Sequence, residues 1–193
     1  MPFGAHETVE VHEILNEKLS AITHYSLYAE QAQSPQVRDL IQRQLQTTVQ
    51  QYDQLVAYTH DYSAANRSAS FSAGASSMGG ISPEQVAYGL RQPSPMAPQF
   101  QGRLNDQQIL SALLCSNKNC AKNGMQASLE CADPNVRQML LNGAISANQH
   151  AYDTFLLMNQ LGQYQVPTIQ DHTAKTFLHA FQPMHATSPA PYV

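Results

Sequence analysis

The sequence has little charge, no tryptophan and few cysteines, and these shortages narrow the functions open to it. Only 12% of its 193 residues are charged, about half the usual share. Gln, Asn and Ser take their place, so the polar surface is mostly uncharged and suits a protein that packs against others. Lysine and arginine form no cluster and the net charge is −4. The sequence therefore lacks the basic surface that a nucleic-acid partner requires.

Long apolar runs are also missing. The runs present are much shorter than the roughly 20 residues that cross a bilayer, so we expect no transmembrane helix and no membrane insertion. The N-terminus has no basic segment followed by an apolar stretch. We therefore expect no secretory signal peptide and, by default, synthesis in the cytoplasm.

The three cysteines, Cys115, Cys120 and Cys131, all fall in one predicted helix. A helix rises about 1.5 Å per residue, which separates these residues too far for a disulfide within it. They are also too few for a zinc motif. We interpret them as core or helix-surface residues, with crosslinking between chains as the alternative.

Apolar residues recur every three or four positions in four segments, which predicts four amphipathic helices. We expect them over about 7–32, 35–62, 105–132 and 134–161, with Gly162 ending the last. The inward positions predicted for the first and third helices are Val11, Ile14, Leu15, Leu19, Ile22, Tyr25, Ala29, Ile109, Leu110, Leu113, Leu114, Ala121, Met125 and Leu129.

These helices divide the chain into two hairpins within one predicted bundle domain. The first hairpin takes residues 1–62 and the second takes residues 104–167. Between them lies a linker, 63–103, rich in Ser, Gly and Pro, in which 82–89 could form a short helix. Residues 168–193 form a C-terminal tail with a possible short helix over 175–181 and an end that we expect to be disordered.

The two hairpins resemble each other at their turns. The stretch 30–38 matches 130–137, and Tyr52-Asp53 matches Tyr152-Asp153. Convergence of capped hairpins is the alternative, because Ser or Asp before Pro is a generic helix start. We favour duplication, which predicts an all-α four-helix bundle of two repeated antiparallel hairpins. Chain reversal should also pair Glu30 with Arg38 and Glu130 with Arg137.

A bundle of this kind invites a search for a ferritin-like di-metal site. That site needs Glu-x-x-His on two helices, and no glutamate here has a histidine three positions later. We therefore predict no metal, no cofactor and no catalytic residue, with Glu130 and His150 as the weak metal candidates. His150 should point inward near Asn117 as a hydrogen-bonded core residue.

The N-terminal helix carries the densest group of possible ligands: His6, Glu10, His12 and Glu13. Carboxylates are favoured in the first turns of a helix by its dipole. We interpret the group as a solvated helix start, with adventitious metal binding as the alternative.

The end of the fourth helix has a distinctive sequence, Leu157-Met-Asn-Gln-Leu-Gly-Gln-Tyr-Gln-Val-Pro167. With it, the stretch 104–167 resembles the coat F domain of the spore coat protein F family, which typically has Met-Asn-Gln and then Gly-Trp-Tyr before a proline. Gln163 stands where that family usually has tryptophan. The start of the chain, 6–13, is similar to the front hairpin of full-length members.

The resemblance implies a ferritin-like fold and a structural, non-enzymatic role in the coat of a bacterial endospore. It implies other spore coat proteins, and a second copy of the chain, as partners. The alternative is a ferritin-like metal-binding protein or oxidoreductase with a degenerate site around Glu130 and His150.

Overall fold

A computed structural model describes residues 3–61, 86–89 and 102–184 of the chain. These residues form five helices and no strand: α1 (Ala5–Gln31), α2 (Pro35–His60), α3 (Asp106–Leu129), α4 (Pro134–Gln160) and α5 (Asp171–Leu178). The all-α prediction is confirmed. None of the helices in the described ranges is long and apolar enough to span a bilayer.

The helices begin where the sequence has capping residues. Ser34 and Asp133 are the N-caps of α2 and α4, each followed by proline at the first helical position. The Asp133 carboxylate accepts hydrogen bonds from the backbone N–H groups of Asn135 and Val136, at 2.7 and 3.3 Å. At the other end of α4, Gly162 adopts a positive φ of 72°, which only glycine adopts without strain.

The four long helices pack as two pairs joined side by side. α1 lies along α2 and α3 along α4, while the pairs contact each other through α1 with α3 and α2 with α4. The apolar interior has two parts. One contains Tyr25, Leu40, Leu110 and Leu157, and the other contains Val11, Leu55, Tyr58 and Val136. Polar side chains occupy the levels between these two parts.

Two carboxylate contacts tie the start of each hairpin to the turn of the other. Glu7 in α1 accepts a hydrogen bond from the backbone N–H of Asp133 at 2.9 Å. Asp106 in α3 accepts hydrogen bonds from the backbone N–H groups of Gln33 and Ser34, at 2.8 and 2.9 Å. Glu7 lies 27 residues before the N-cap Ser34, and Asp106 lies 27 residues before the N-cap Asp133. The two contacts therefore come from corresponding positions.

Several predicted inward positions are wrong. Leu19, Met125 and Leu129 are 52%, 43% and 63% exposed. In α3 the interior instead receives small or polar residues, including Gly124, where an added Cβ would come within 3.3 Å of the Ala144 Cβ. Small residues at this level let α3 and α4 approach closely. A pattern of large apolar residues does not indicate such an approach.

The predicted ion pairs at the turns are also wrong. Arg38 donates to the Ala32 carbonyl at 2.7 Å, and Arg137 donates to the Ser128 carbonyl at 3.2 Å. Neither guanidinium is within ion-pair distance of its predicted glutamate in the described part of the chain. Each arginine satisfies a carbonyl that the end of the preceding helix leaves without an intrahelical partner.

Three smaller predictions differ from the structure, and parts of the predicted linker and tail lie outside the described residues. Cys131 lies just beyond the end of α3 rather than within it. In 86–89, Tyr88 and Gly89 form isolated bridges with Val166, so these residues are not helical as predicted for 82–89. Residues 1–2, 62–85, 90–101 and 185–193 lie outside the described residues. The tail helix begins earlier than predicted, at Asp171.

A polar cavity as the candidate functional site

A small cavity lies between the four long helices, at the polar levels of the interior. Its volume is about 30 Å³. Each helix contributes polar side chains to its lining, which includes Glu17, Lys18, Gln51, Asn117, Cys120 and His150.

Lys18 of α1 places its ammonium group at this cavity. Its Nζ donates a hydrogen bond to Oε1 of Gln51 in α2, at 2.9 Å. The same Nζ lies against Gly143 of α4, where an added Cβ would come within 3.4 Å of it. Burial lowers the pKa of Lys18 below its usual range, despite smaller opposing effects of Cys120 and Glu17. Glycine at position 143 thus leaves room for a lysine that crosses the interior.

The contact with Lys18 fixes the orientation of the Gln51 amide. An ammonium group can only donate hydrogen bonds, so the amide oxygen must face it. The amide nitrogen, Nε2, is therefore turned away, and it is buried with no hydrogen-bond partner in the described part of the chain. An unpaired buried N–H is costly, commonly by about 1–3 kcal/mol.

His150 of α4 lines the cavity, so its predicted inward direction is confirmed. Burial lowers its pKa to about 4, and the nearby charge of Lys18 acts in the same direction. The imidazole is therefore neutral near pH 7. Its predicted partner, Asn117, is engaged elsewhere.

Asn117 belongs to a buried hydrogen-bonded chain that joins all four long helices. The Tyr25 hydroxyl donates to Asn117 Oδ1 at 2.8 Å, and Asn117 Nδ2 donates to Gln44 Oε1 at 2.9 Å. Gln44 Nε2 in turn donates to Thr154 Oγ1 and to the His150 carbonyl, both at 3.1 Å. A buried network of this kind fixes the mutual positions of the helices when its members are paired.

The thiol at the cavity is poorly suited to nucleophilic chemistry. Burial, with the charge of Glu17 next in importance, raises the pKa of Cys120 to about 11. The thiol therefore stays protonated near pH 7, whereas the thiolate is the nucleophile. Glu17 itself accepts a hydrogen bond from Asn123 Nδ2 at 2.8 Å.

The structure does not bring Glu130 and His150 together. Glu130 is exposed at the turn between α3 and α4, where its carboxylate lies 3.3 Å from His6 Nδ1. His150 lies in the middle of α4, roughly 25 Å along the helix axis from that turn. Within the described ranges, no three His, Cys, Asp or Glu residues are grouped so that they could hold a metal ion. His12 lies 3.0 Å from Glu13 on the surface of α1, apart from His6.

Sequence reasoning missed Lys18, although a signal was present. The buried face of α1 follows the spacing Glu7, Val11, Ile14, Ala21 and Tyr25, and position 18 falls in the gap of that series. A lysine on the apolar stripe of an amphipathic helix is a candidate buried charge. A stripe defined by its apolar residues alone leaves this lysine out.

A second group of buried polar contacts lies at the end of α4, within the stretch that carries the coat F resemblance. Asn159 is 1% exposed. Its Nδ2 donates to the carbonyls of Tyr164 and Ala87, at 2.9 and 3.1 Å, and its Oδ1 accepts from the Ala87 N–H at 2.9 Å. This asparagine therefore fastens 86–89 and the turn after α4 to the helix end.

Comparison with known proteins agrees with that resemblance. Residues 105–167 match the family model described as the Coat F domain. The chain is 24% identical, over 188 residues, to a spore coat protein F-like protein of Bacillus subtilis (strain 168). The match covers 96% of this chain and 83% of the relative. No solved structure matches at a significant level. The predicted resemblance to the coat F family is confirmed.

Proposed function

We propose that this Coat F domain protein is a structural component of the coat of a bacterial endospore. The observation that carries the proposal is the extent of its similarity to the spore coat protein F-like relative, which reaches 96% of the chain. That similarity includes the first hairpin as well as the matched domain. A shared architecture, rather than a shared fragment, therefore supports a shared role.

The fold that we propose is a ferritin-like four-helix bundle of two repeated hairpins. Support comes from a constant offset of 99 residues between interior positions of the two halves. The offset relates the N-caps Ser34 and Asp133 and the turn-binding acids Glu7 and Asp106. It also relates these interior pairs: Val11 and Leu110, Ile14 and Leu113, Lys18 and Asn117, Val37 and Val136, Ile41 and Leu140, and Gln51 and His150. With this offset Glu130 corresponds to Gln31, whereas the match between the turn sequences pairs it with Glu30.

A structural rather than enzymatic role is supported by the size and chemistry of the cavity. Pockets for drug-sized ligands typically have volumes of about 300–1,000 Å³, which is about ten to thirty times the cavity volume of about 30 Å³. The thiol at the cavity is kept protonated by burial. The polar interior holds the four helices in register.

Assembly with other coat proteins is supported by the exposed C-terminal segment. α5 buries none of its residues, and Phe177, Leu178, Phe181 and Met184 are 76%, 66%, 82% and 94% exposed. Exposed apolar side chains close together are typical of contact surfaces. We propose that the segment 171–184 contacts other coat proteins, with a second copy of the chain as the other candidate.

A fluorescent fusion in sporulating cells, combined with fractionation of purified spores, tests the proposal. We expect the full chain in the spore coat fraction, and a chain lacking residues 171–193 shifted toward the mother-cell extract. A full-length F177S/F181S variant is the matched test of the apolar side chains, with Lys175→Ser as its control. Recovery of the full chain only in the soluble mother-cell extract would refute the coat role.

The alternative of a ferritin-like metal site does not fit the residues at the centre of the bundle. The cavity lining offers a single carboxylate, that of Glu17, beside the lysine ammonium and two amides, whereas divalent cations prefer several carboxylates there. Elemental analysis of protein purified without chelators measures whether the bundle binds a metal ion. We expect less than about 0.1 metal ion per chain, whereas occupancy near one would revive the alternative.

A further inference from the structure

The two hairpins contribute side chains of different size to the interior between them. The first hairpin contributes Tyr25 and Gln44, each 1% exposed. The offset of 99 residues places Gly124 and Gly143 at the corresponding positions of the second hairpin. At these levels the long polar side chains therefore come from the first hairpin, and the second hairpin leaves the space for them.

Both long side chains are paired with residues of the second hairpin. The Tyr25 hydroxyl donates to Asn117 Oδ1 at 2.8 Å. Gln44 Oε1 accepts from Asn117 Nδ2 at 2.9 Å, and Gln44 Nε2 donates to Thr154 Oγ1 at 3.1 Å. The amide of Asn117 thus accepts one hydrogen bond and donates another, both across the boundary between the hairpins.

Two first hairpins could not make these hydrogen bonds with each other. The offset puts Lys18 at the place of Asn117 and Leu55 at the place of Thr154. The ammonium form of lysine accepts no hydrogen bond, and leucine offers no acceptor in any form. The tyrosine hydroxyl and the glutamine amide would therefore be buried without acceptors, which is destabilising.

Size also opposes the pairing of like hairpins. Lys18 Nζ lies against Gly143, where an added Cβ would come within 3.4 Å of it. In a pair of first hairpins, Gln44 would stand in place of that glycine and would compete with the lysine for the same space. A pair of second hairpins has the opposite defect, because glycines would face Asn117 where its two partners now lie. That pair would contain unfilled volume and an unpaired buried amide.

The connection between the hairpins is long enough to reach a second copy of the chain. The contacts described above involve none of residues 62–85, the 24 residues that join α2 to 86–89. Fully extended, 24 residues reach about 80 Å, whereas the 26-residue α2 is about 39 Å long. A second hairpin can therefore pair with the first hairpin of its own chain or with that of a neighbouring copy.

We propose that the inner face of the first hairpin is a docking surface for the second hairpin of another copy, so that copies associate by exchanging hairpins. A second copy fits this surface because it carries Asn117, Gly143 and Thr154 at the positions that the first hairpin requires. Exchange restores the contacts of the closed bundle between two chains and needs no new surface. The proposal rests on the repeat of hairpins proposed above and gives the chain a route of assembly that is independent of α5.

Co-expression of two differently tagged full-length chains tests the exchange. One chain carries His6→Cys and the other carries Glu130→Cys, both with Cys115→Ser to remove the exposed thiol. The native side chains at 6 and 130 are exposed and lie 3.3 Å apart across the boundary between the hairpins, so these substitutions spare the interior. After purification through both tags, a short bis-maleimide should join position 6 of one chain to position 130 of the other.

Two controls define the result of the crosslinking. A single chain that carries both cysteines shows that positions 6 and 130 react when the hairpins are paired. Gln31 corresponds to Glu130 in the first hairpin, so a chain with Gln31→Cys reports the pairing of two first hairpins and should give no crosslink to position 6. Chains that do not purify together, or that purify together without a crosslink from 6 to 130, overturn the exchange. Neither result bears on the coat role, which spore fractionation tests separately.

A pair of interior variants tests the exchange without a crosslinker. Gly143→Gln blocks the second hairpin of one chain, and Gln44→Gly removes hydrogen bonds from the first hairpin of the other. Each variant alone should lower the Tm by about 4–12 °C. Co-expressed, the two chains still have one intact hairpin of each kind, so the complex should regain a transition at the wild-type Tm. If the complex melts as the single variants do, the hairpins do not exchange.

Discussion

The Glu7 carboxylate accepts a hydrogen bond at 2.9 Å from the backbone N–H of Asp133, 126 residues further along the chain. The corresponding acid of the second hairpin, Asp106, accepts the N–H groups of Gln33 and Ser34 in the first turn. Each hairpin thus begins by closing the turn of the other. The mutual position of the hairpins is fixed by these contacts at the two turns, in addition to apolar packing along the helices.

Replacing Glu7 with alanine should lower the free energy of unfolding by about 1–3 kcal/mol. Glu7 is 3% exposed, and its carboxylate also accepts the Gly4 N–H at 3.2 Å. The substitution leaves both backbone donors without this acceptor. Urea unfolding of Glu7→Ala and of the exposed control Asp53→Ala measures the difference. Equal midpoints for the two variants would show that the turn contact contributes little.

Acid should destabilise the protein through His150. In the folded chain the His150 pKa is about 4, against a usual value of about 6.5. Between these pH values the unfolded chain binds a proton that the folded chain does not. The resulting stabilisation is complete above pH 6.5 and is lost as the pH falls toward 4, by at most about 3 kcal/mol.

Urea unfolding from pH 7 to pH 4 checks this effect by comparing the wild type with His150→Gln. Glutamine is the residue at the corresponding position, 51, of the first half. We expect the variant to show a smaller loss of stability across that interval, with His24→Gln, on the exposed face of α1, behaving as the wild type does. Parallel curves for wild type and His150→Gln would mean that the imidazole is not desolvated.

The three cysteines should differ in their reactivity toward an alkylating reagent. Burial is the main cause that raises the pKa of Cys120 and of Cys131 to about 11, and Cys115 is exposed. We expect iodoacetamide at pH 8 to modify Cys115 first, with the other two following at least tenfold more slowly because little thiolate is present. Peptide mass spectrometry over time gives the order. In urea all three should react alike, and early modification of Cys120 in the folded chain would contradict the buried position.

The helices could be predicted because their determinants are local. Ser34-Pro35 and Asp133-Pro134 mark helix starts by chemistry that does not depend on the rest of the fold. The burial of individual side chains was less predictable, because α3 offers more apolar residues than one face can bury. The apolar periodicity predicts Leu129 on the buried face, whereas the close approach of α3 to α4 requires Gly124.

The polar interior was predictable only in part. The stripe position of His150 indicated burial, but its neighbours come from three other helices, and their levels depend on how the two hairpins are set against each other. Lys18 illustrates the limit, because a lysine is ordinarily assigned to the surface. The 99-residue offset that relates it to Asn117 becomes apparent once the buried positions of both halves are compared.

Asn159, in the coat F-like sequence at the end of α4, should hold residues 86–89 against the helix end. Its amide hydrogen-bonds to the backbone N–H and carbonyl of Ala87 and to the Tyr164 carbonyl. Asn159→Ala should therefore release 86–89 from the helix end, leave buried backbone groups without these partners, and lower stability by about 1–3 kcal/mol. Limited proteolysis followed by mass spectrometry should show faster cleavage close to residues 86–89.

The exposed neighbour Gln160 provides the control, since Gln160→Ala removes an adjacent amide from the same helix end. If both variants are cleaved at the wild-type rate, the asparagine does not hold the segment, and its place in the sequence needs another explanation.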